Sequence, residues 1–184
     1  MMIKSVCVYC GARNGVAQVY LDGATEMGRI LAEHDIRLIY GGGSNGLMGA
    51  VADAVLAAGG EAVGIVPEPF KWGEVTHTRL TELHLTADMH TRKAKMASLA
   101  DAFIAMPGGF GTFDELMEIV TWAQIGVHGK PIAIYNIDGY YDPLLEMIER
   151  GLAQGFIPDT SHSLLKVADT PQGVLDALMS IYRL

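Results

Sequence analysis

Charge is scarce in this chain: only 18% of its 184 residues are Asp, Glu, Lys or Arg, and thirteen basic residues face twenty-one acidic ones. A net charge of −8 provides no polycationic surface for gripping a phosphodiester backbone, which excludes a general nucleic-acid-binding role. Cysteine is nearly absent. Cys7 and Cys10 are the only two, too few for a disulfide-stapled secreted scaffold. Their C-x-x-C spacing sits where an apolar run meets a loop, so they read as strand and loop residues in a reducing compartment. No apolar run approaches the roughly 20 residues that cross a bilayer, and no charged-apolar-small leader opens the chain. The expectation is a cytoplasmic protein with no membrane partner. The histidines (34, 77, 84, 90, 128 and 162) are scattered without ligand spacing, so no metal site is expected.

Half of the residues are hydrophobic and 22 are glycine. That composition describes a packed globule with many tight turns, expected as a single domain spanning 1–184. Short apolar runs alternate with stretches of helical period. Strands are read at 3–9, 36–40, 62–66, 80–86, 101–106, 131–136 and 164–167. Helices are read at 17–34, 47–58, 88–99, from the 107–112 turn to 125, from Asp142-Pro143 to 153, and from 171 onward. Asp88 reads as an N-cap, and Asp142-Pro143 as an N-cap followed by proline at the first helical position. This order predicts an α/β fold: a doubly wound, Rossmann-like parallel sheet of about seven strands with helices on both faces. Ligands of such sheets sit beyond the carboxyl ends of the strands. The loops at 11–15, 41–46, 67–79 and 107–112 should therefore share one edge.

Two of those loops are glycine-rich strand-to-helix turns, Gly41-Gly42-Gly43-Ser44-Asn45-Gly46 and Pro107-Gly108-Gly109-Phe110-Gly111-Thr112. Bare amides at a helix start, with the positive end of the helix dipole, form a ready phosphate site. Thr112 and Glu115 also fit T-x-x-E, a capping box that would make Glu115 structural, and on pattern alone both readings stand. Against the acidic background, Arg92, Lys93 and Lys95 place three cations in four positions; a solvated helix face is the plain alternative. Met27, Met89, Met96 and Met117 read as core fillers, and Trp122 as a packing or subunit-contact residue.

The runs Asp88-Met89-His90-Thr91-Arg92-Lys93-Ala94 and Pro107 to Glu115 resemble the two signatures of the LONELY GUY (LOG) family, cytokinin-activating phosphoribohydrolases. Gly41 to Gly49 and Thr121-Trp122-Ala123-Gln124 also resemble family sequence, so the likeness covers nearly the whole chain. The resemblance implies hydrolysis of the N-glycosidic bond of AMP or N6-prenylated AMP, releasing free base and ribose 5-phosphate, with no cofactor. It implies catalytic roles for Arg92 and Glu115. It implies substrate contacts from Glu74, Lys93, Gly108, Gly109, Phe110, Gly111, Thr112, Phe113, Asp114 and Thr121, and it implies a homodimer. Gly42 and Gly43 join the candidate substrate-binding set through the phosphate-site reading of their turn. Glu115, placed in a first helical turn, should be ionised and assist the sugar cation or a water. Arg92 should hold phosphate, ribose or departing base by directed hydrogen bonds.

The chain departs from the family pattern in three places. Asp114 stands where Glu is frequent, the first loop carries Ala12-Arg13-Asn14 in place of serines, and the 67–79 loop differs most. The rival readings are a non-catalytic nucleotide carrier or sensor, a dinucleotide oxidoreductase, and a lysine decarboxylase. The oxidoreductase lacks its G-x-G-x-x-G after the first strand. The decarboxylase would need a Schiff-base lysine for pyridoxal phosphate.

Overall fold

The computed structural model describes residues 3–68 and 76–180. Seven strands form one parallel sheet: β1 (Ser5–Tyr9), β2 (Arg37–Tyr40), β3 (Ala62–Pro67), β4 (Glu82–Thr86), β5 (Ala102–Ala105), β6 (Ile132–Tyr135) and β7 (Leu165–Ala168). Their spatial order is β4-β3-β2-β1-β5-β6-β7. The chain thus winds outward from β1 in one direction, then returns to the other side of β1 with β5. That reversal makes the β1/β5 boundary the switch point, where loops diverge and leave a crevice. The register there pairs Val6 with Ala102 and Tyr9 with Ala105.

Alternation along each strand divides two cores. Val6, Val8 and Ile104 face α1 (Gln18–Glu33), α2 (Gly46–Ala57) and α6 (Pro171–Met179), meeting Met27, Leu31, Leu47, Val51 and Leu178. Cys7, Tyr9, Phe103 and Ala105 face the other way. They meet Met96 of α3 (Met89–Leu99), Leu116 and Ile119 of α4 (Phe110–Gln124), and Leu144 of α5 (Asp142–Ala153). β1 and β5 are buried throughout, as a strand covered on both faces must be, whereas edge strand β4 exposes Glu82 and Leu83. Cys7 and Cys10 are both buried and unpaired.

Element boundaries differ from the sequence reading by a residue or two, with physical causes in two places. Pro67 is the last residue of β3. α5 takes Tyr141 as its N-cap, with no side-chain bond there. Asp142 is therefore inside the helix, and its carboxylate accepts a hydrogen bond from Asn136 Nδ2 at 2.7 Å.

Candidate active site

The crevice opens where β1 and β5 end. Gly11, just past β1, donates its N–H to the carbonyl of Pro107 at 2.9 Å, tying the two loops together. α4 then starts at Phe110 with Gly109 as an extended N-cap that makes no side-chain bond. The first helical hydrogen bond runs from Phe113 N–H to Gly109 C=O, so the amides of Phe110, Gly111 and Thr112 precede it. A Cβ at Gly109 or Gly111 would meet nothing within 4 Å, so open space lies beside these backbone groups.

This start of α4 closes one of two open readings and overturns one expectation. Thr112 is the third helical residue and is buried, so it is no N-cap, and the capping box does not form. Glu115 lies in the second turn, outside the reach of first-turn dipole stabilisation. The glycines are the reason: they supply the extended turn and move the helix start ahead of the threonine.

Arg92 reaches the same place from α3. Asp88 caps that helix, accepting the N–H of Thr91 at 2.7 Å, and this bond holds its carboxyl below the usual range. One turn on, Arg92 is 7% exposed; its Nε donates to the Ile65 carbonyl at 3.1 Å, and Nη1 meets Glu115 Oε1 at 2.8 Å. The guanidinium crosses Gly41, where any Cβ would collide with Nη2. Glu115 is 6% exposed, and burial pushes its carboxyl above the usual range, with Arg92 acting in opposition. The environment therefore does the opposite of what a dipole-stabilised first-turn acid would show. Burial also raises the Cys7, Tyr9 and Cys10 groups behind it, leaving them neutral.

The pair forms one wall of a cavity of about 430 Å³, shared with Gly11, Gly108, Gly109, Gly111, Thr112 and Asp114. Its remaining lining is mainly apolar (Val16, Leu47, Met48 and Met89, with Tyr20 and Tyr140), and the basic residue Arg13 joins it from the loop after β1. A larger hollow of about 720 Å³ lies at the amino edge of the sheet. Among its charged side chains Arg37 is paired with Glu61 at 2.6 Å and His84 meets Glu82 at 2.8 Å. The smaller cavity, with a buried ion pair and open helix amides, is the one equipped for chemistry.

Other expected residues lie elsewhere. Lys93 is outside this cavity, its ammonium held by Asp114 at 2.9 Å and Glu118 at 3.1 Å. Phe110 is 91% exposed. Phe113 packs edge-on against Phe110 and Tyr141. Thr121 bonds back to Met117 C=O at 2.7 Å and lines a separate hollow with Trp122 on the outer side of α4. Gly42 and Gly43 belong to a packing joint: Gly42 C=O accepts from His77 N–H at 2.8 Å, and Gly43 bridges to Thr76. Neither is among the cavity's described lining residues. Glu74 lies outside the described residues.

Tyr20, Tyr140, Met48 and Met89 line the cavity without having been singled out as site residues. Met89 and Met117, read as core fillers, are each more than a third exposed. Tyr140 could have been found by extending the carboxyl-edge rule to the loop after 131–136.

A family model described as "Possible lysine decarboxylase" matches residues 48–178. Cytokinin riboside 5′-monophosphate phosphoribohydrolase LOG of Oryza sativa subsp. japonica is 46% identical over 167 residues, 91% of this chain and 69% of that protein. LOG3 of Arabidopsis thaliana, which carries the same description, is 43% identical over 175 residues, 95% of this chain and 81% of its own. Among solved structures, the molybdenum cofactor binding protein of Rippkaea orientalis superposes with a TM-score of 0.75 over 99% of both chains. At 20% identity that likeness concerns the fold alone.

Proposed function

The chain belongs to the cytokinin riboside 5′-monophosphate phosphoribohydrolase (LOG) family, and from that premise we propose that it hydrolyses the N-glycosidic bond of AMP or an N6-substituted AMP. The products are the free base and ribose 5-phosphate. One observation carries the reading: a buried Arg92–Glu115 pair stands beside the open amino end of α4 within a single cavity.

The 5′-phosphate sits against the Gly109–Thr112 amides, where partial positive charge and the absence of Cβ atoms let it approach. The ribose then lies over the ion pair, and the base meets the apolar wall of Leu47, Met48 and Met89. As the bond from C1′ to the base nitrogen breaks, positive charge grows on the sugar ring. The ionised Glu115 stabilises that charge and accepts a proton from water, whose oxygen bonds to C1′. The proton leaves with the base. Arg92 acts as a fixed hydrogen-bond donor that orients Glu115.

The family model's description points instead to pyridoxal chemistry, and the residues do not fit it. No lysine among the described residues lines the cavity, and the neighbouring Lys93 is engaged by two carboxylates. A binding-only role needs the helix amides but not a buried acid–guanidinium pair, which favours the hydrolase.

We place the protein in the cytoplasm, supported by two buried, unpaired cysteines, and read it as a homodimer. Thr121 on the outer side of α4 could meet substrate only across a contact with a second copy, and the exposed Phe110 side chain, Ile125 and Val127 add apolar surface on the same helix and just past it. The decisive assay incubates purified protein with AMP and with isopentenyladenosine monophosphate and measures free base by chromatography. Absence of base release from both would overturn the proposal.

A further inference from the structure

Three consecutive carbonyls lead into the amino end of α4, and each is tied back by a different group. Met106 C=O accepts from the Tyr141 phenol at 2.8 Å, Pro107 C=O from Gly11 N–H at 2.9 Å, and Gly108 C=O from the Tyr140 phenol. Two adjacent tyrosines thus hold the loop from both sides of Pro107. Tyr141 is buried and serves the core. Tyr140 is different: it is partly exposed and lines the cavity together with Gly108.

The segment presenting Tyr140 is costly to build. Asp138 adopts φ +52°, a left-handed conformation unfavourable for a non-glycine residue, and Gly139 follows at φ +68°. Asn136 fixes this turn, accepting Tyr141 N–H at 2.8 Å and donating to Asp142 at 2.7 Å. The Tyr140 ring is then set edge-on to Tyr20 and Tyr141, with centroids 5.9 and 5.1 Å away. Strain of this kind persists where surrounding contacts overdetermine it, and its product here is one phenol placed on one carbonyl.

We propose that Tyr140 is a positioning residue for the anion-binding loop, its phenol holding the Gly108 carbonyl and so fixing the Gly108–Gly109 peptide that enters α4. The peptide joins two glycines, the pair least able to resist rotation. Once released, it could turn the negative end of its dipole toward a bound phosphate. The phenol prevents this by bonding that carbonyl. This inference rests on reading the loop as the phosphate site.

The test is Tyr140→Phe, which keeps the ring and removes the hydroxyl. Titration calorimetry with ribose 5-phosphate and with inorganic phosphate should show affinities about three- to tenfold weaker, the range for one net hydrogen bond. The KM for AMP should rise by the same factor, while kcat and melting temperature hold. Unchanged phosphate affinity, a fall in kcat in place of the rise in KM, or a lowered melting temperature with phosphate affinity intact would each overturn it. So would a wild-type protein that binds neither anion. A wild-type protein that binds ribose 5-phosphate but releases no base would sink the hydrolase reading alone; the Tyr140 assignment would then be judged on binding.

Discussion

The two glycine-rich turns look alike in sequence and are built for opposite purposes. In the turn from Gly41 to Gly49, the protein itself fills the space beside the glycines. Arg92 lies over Gly41, Val66 presses on Gly42, and the Ser44 carbonyl occupies the place of a Gly49 Cβ. The helix amides there are also engaged: Gly46 N–H donates to Asn14 Oδ1 at 3.0 Å, and Met48 N–H to Gly11 C=O at 3.2 Å. In the turn from Pro107 to Thr112, Gly109 and Gly111 face open space and no side chain caps the helix. A glycine run at a strand-to-helix turn thus marks close approach, but whether protein or ligand approaches depends on distant residues. Here the first turn is a joint, and the second is left open.

Substitutions can separate the two. The largest effect is expected at Glu115→Gln, which keeps shape and burial. Base release should fall by about 10²–10⁴-fold, the usual range for a positioned acid–base group, with the circular dichroism spectrum retained and the melting temperature lowered, because Arg92 loses its buried counter-charge. Full activity in that variant would remove Glu115 from the chemistry. The next pair tests the turns directly. Gly111→Ala adds a methyl group into open space within a helix, where alanine is favoured by up to about 1 kcal/mol. Its melting temperature should hold or rise, while loss of a charge-assisted bond of about 1.5–3 kcal/mol raises the KM for AMP tenfold or more. Gly49→Ala should do the reverse. Its Cβ overlaps the Ser44 backbone, an overpacking cost of about 1–3 kcal/mol, seen as a lower denaturation midpoint with KM for AMP little altered. If both variants lose stability, or both lose affinity, the contrast between the turns collapses.

Much of this architecture is legible in the chain. Buried runs such as Val6-Cys7-Val8 and Ala102–Ala105 announce parallel strands, and Asp88 announces the start of α3, as found. The carboxyl-edge rule brings Arg92 and Glu115 toward one region, although they lie 23 residues apart. Family resemblance implies that both are catalytic, but their ion pair is not legible, because no local spacing encodes a contact between two helices. The start of α4 is not legible locally, for a physical reason. T-x-x-E satisfies a local capping rule, but three glycines let the helix begin earlier and carry Glu115 inward. Likewise, nothing local distinguishes Met89 at the cavity wall from Met96 in the core. The difference lies in what the opposite sheet edge leaves uncovered.

The smallest expected effect concerns proton affinity, and it too separates the turns, because only the open one carries a buried acid. Glu115 is faced by Arg92 and Lys93 from α3, by Asp114 on its own helix, and by neutral Cys7 and Tyr9 from β1 and Cys10 just past it. Burial raises its carboxyl pKa, Arg92 and Lys93 lower it, and Asp114 raises it. The proposed reaction uses the ionised form, so activity should be lost as pH falls through a value above the ordinary carboxylate range. Lys93→Met removes a cation and should move that acid limb of the kcat profile upward. Asp114→Asn removes a like charge and should move it downward. Opposite displacements measured on kcat, which substrate affinity does not enter, would tie the limb to Glu115. Displacement in the same direction, or none, would mean that another group governs it, leaving Glu115 as a structural partner of Arg92.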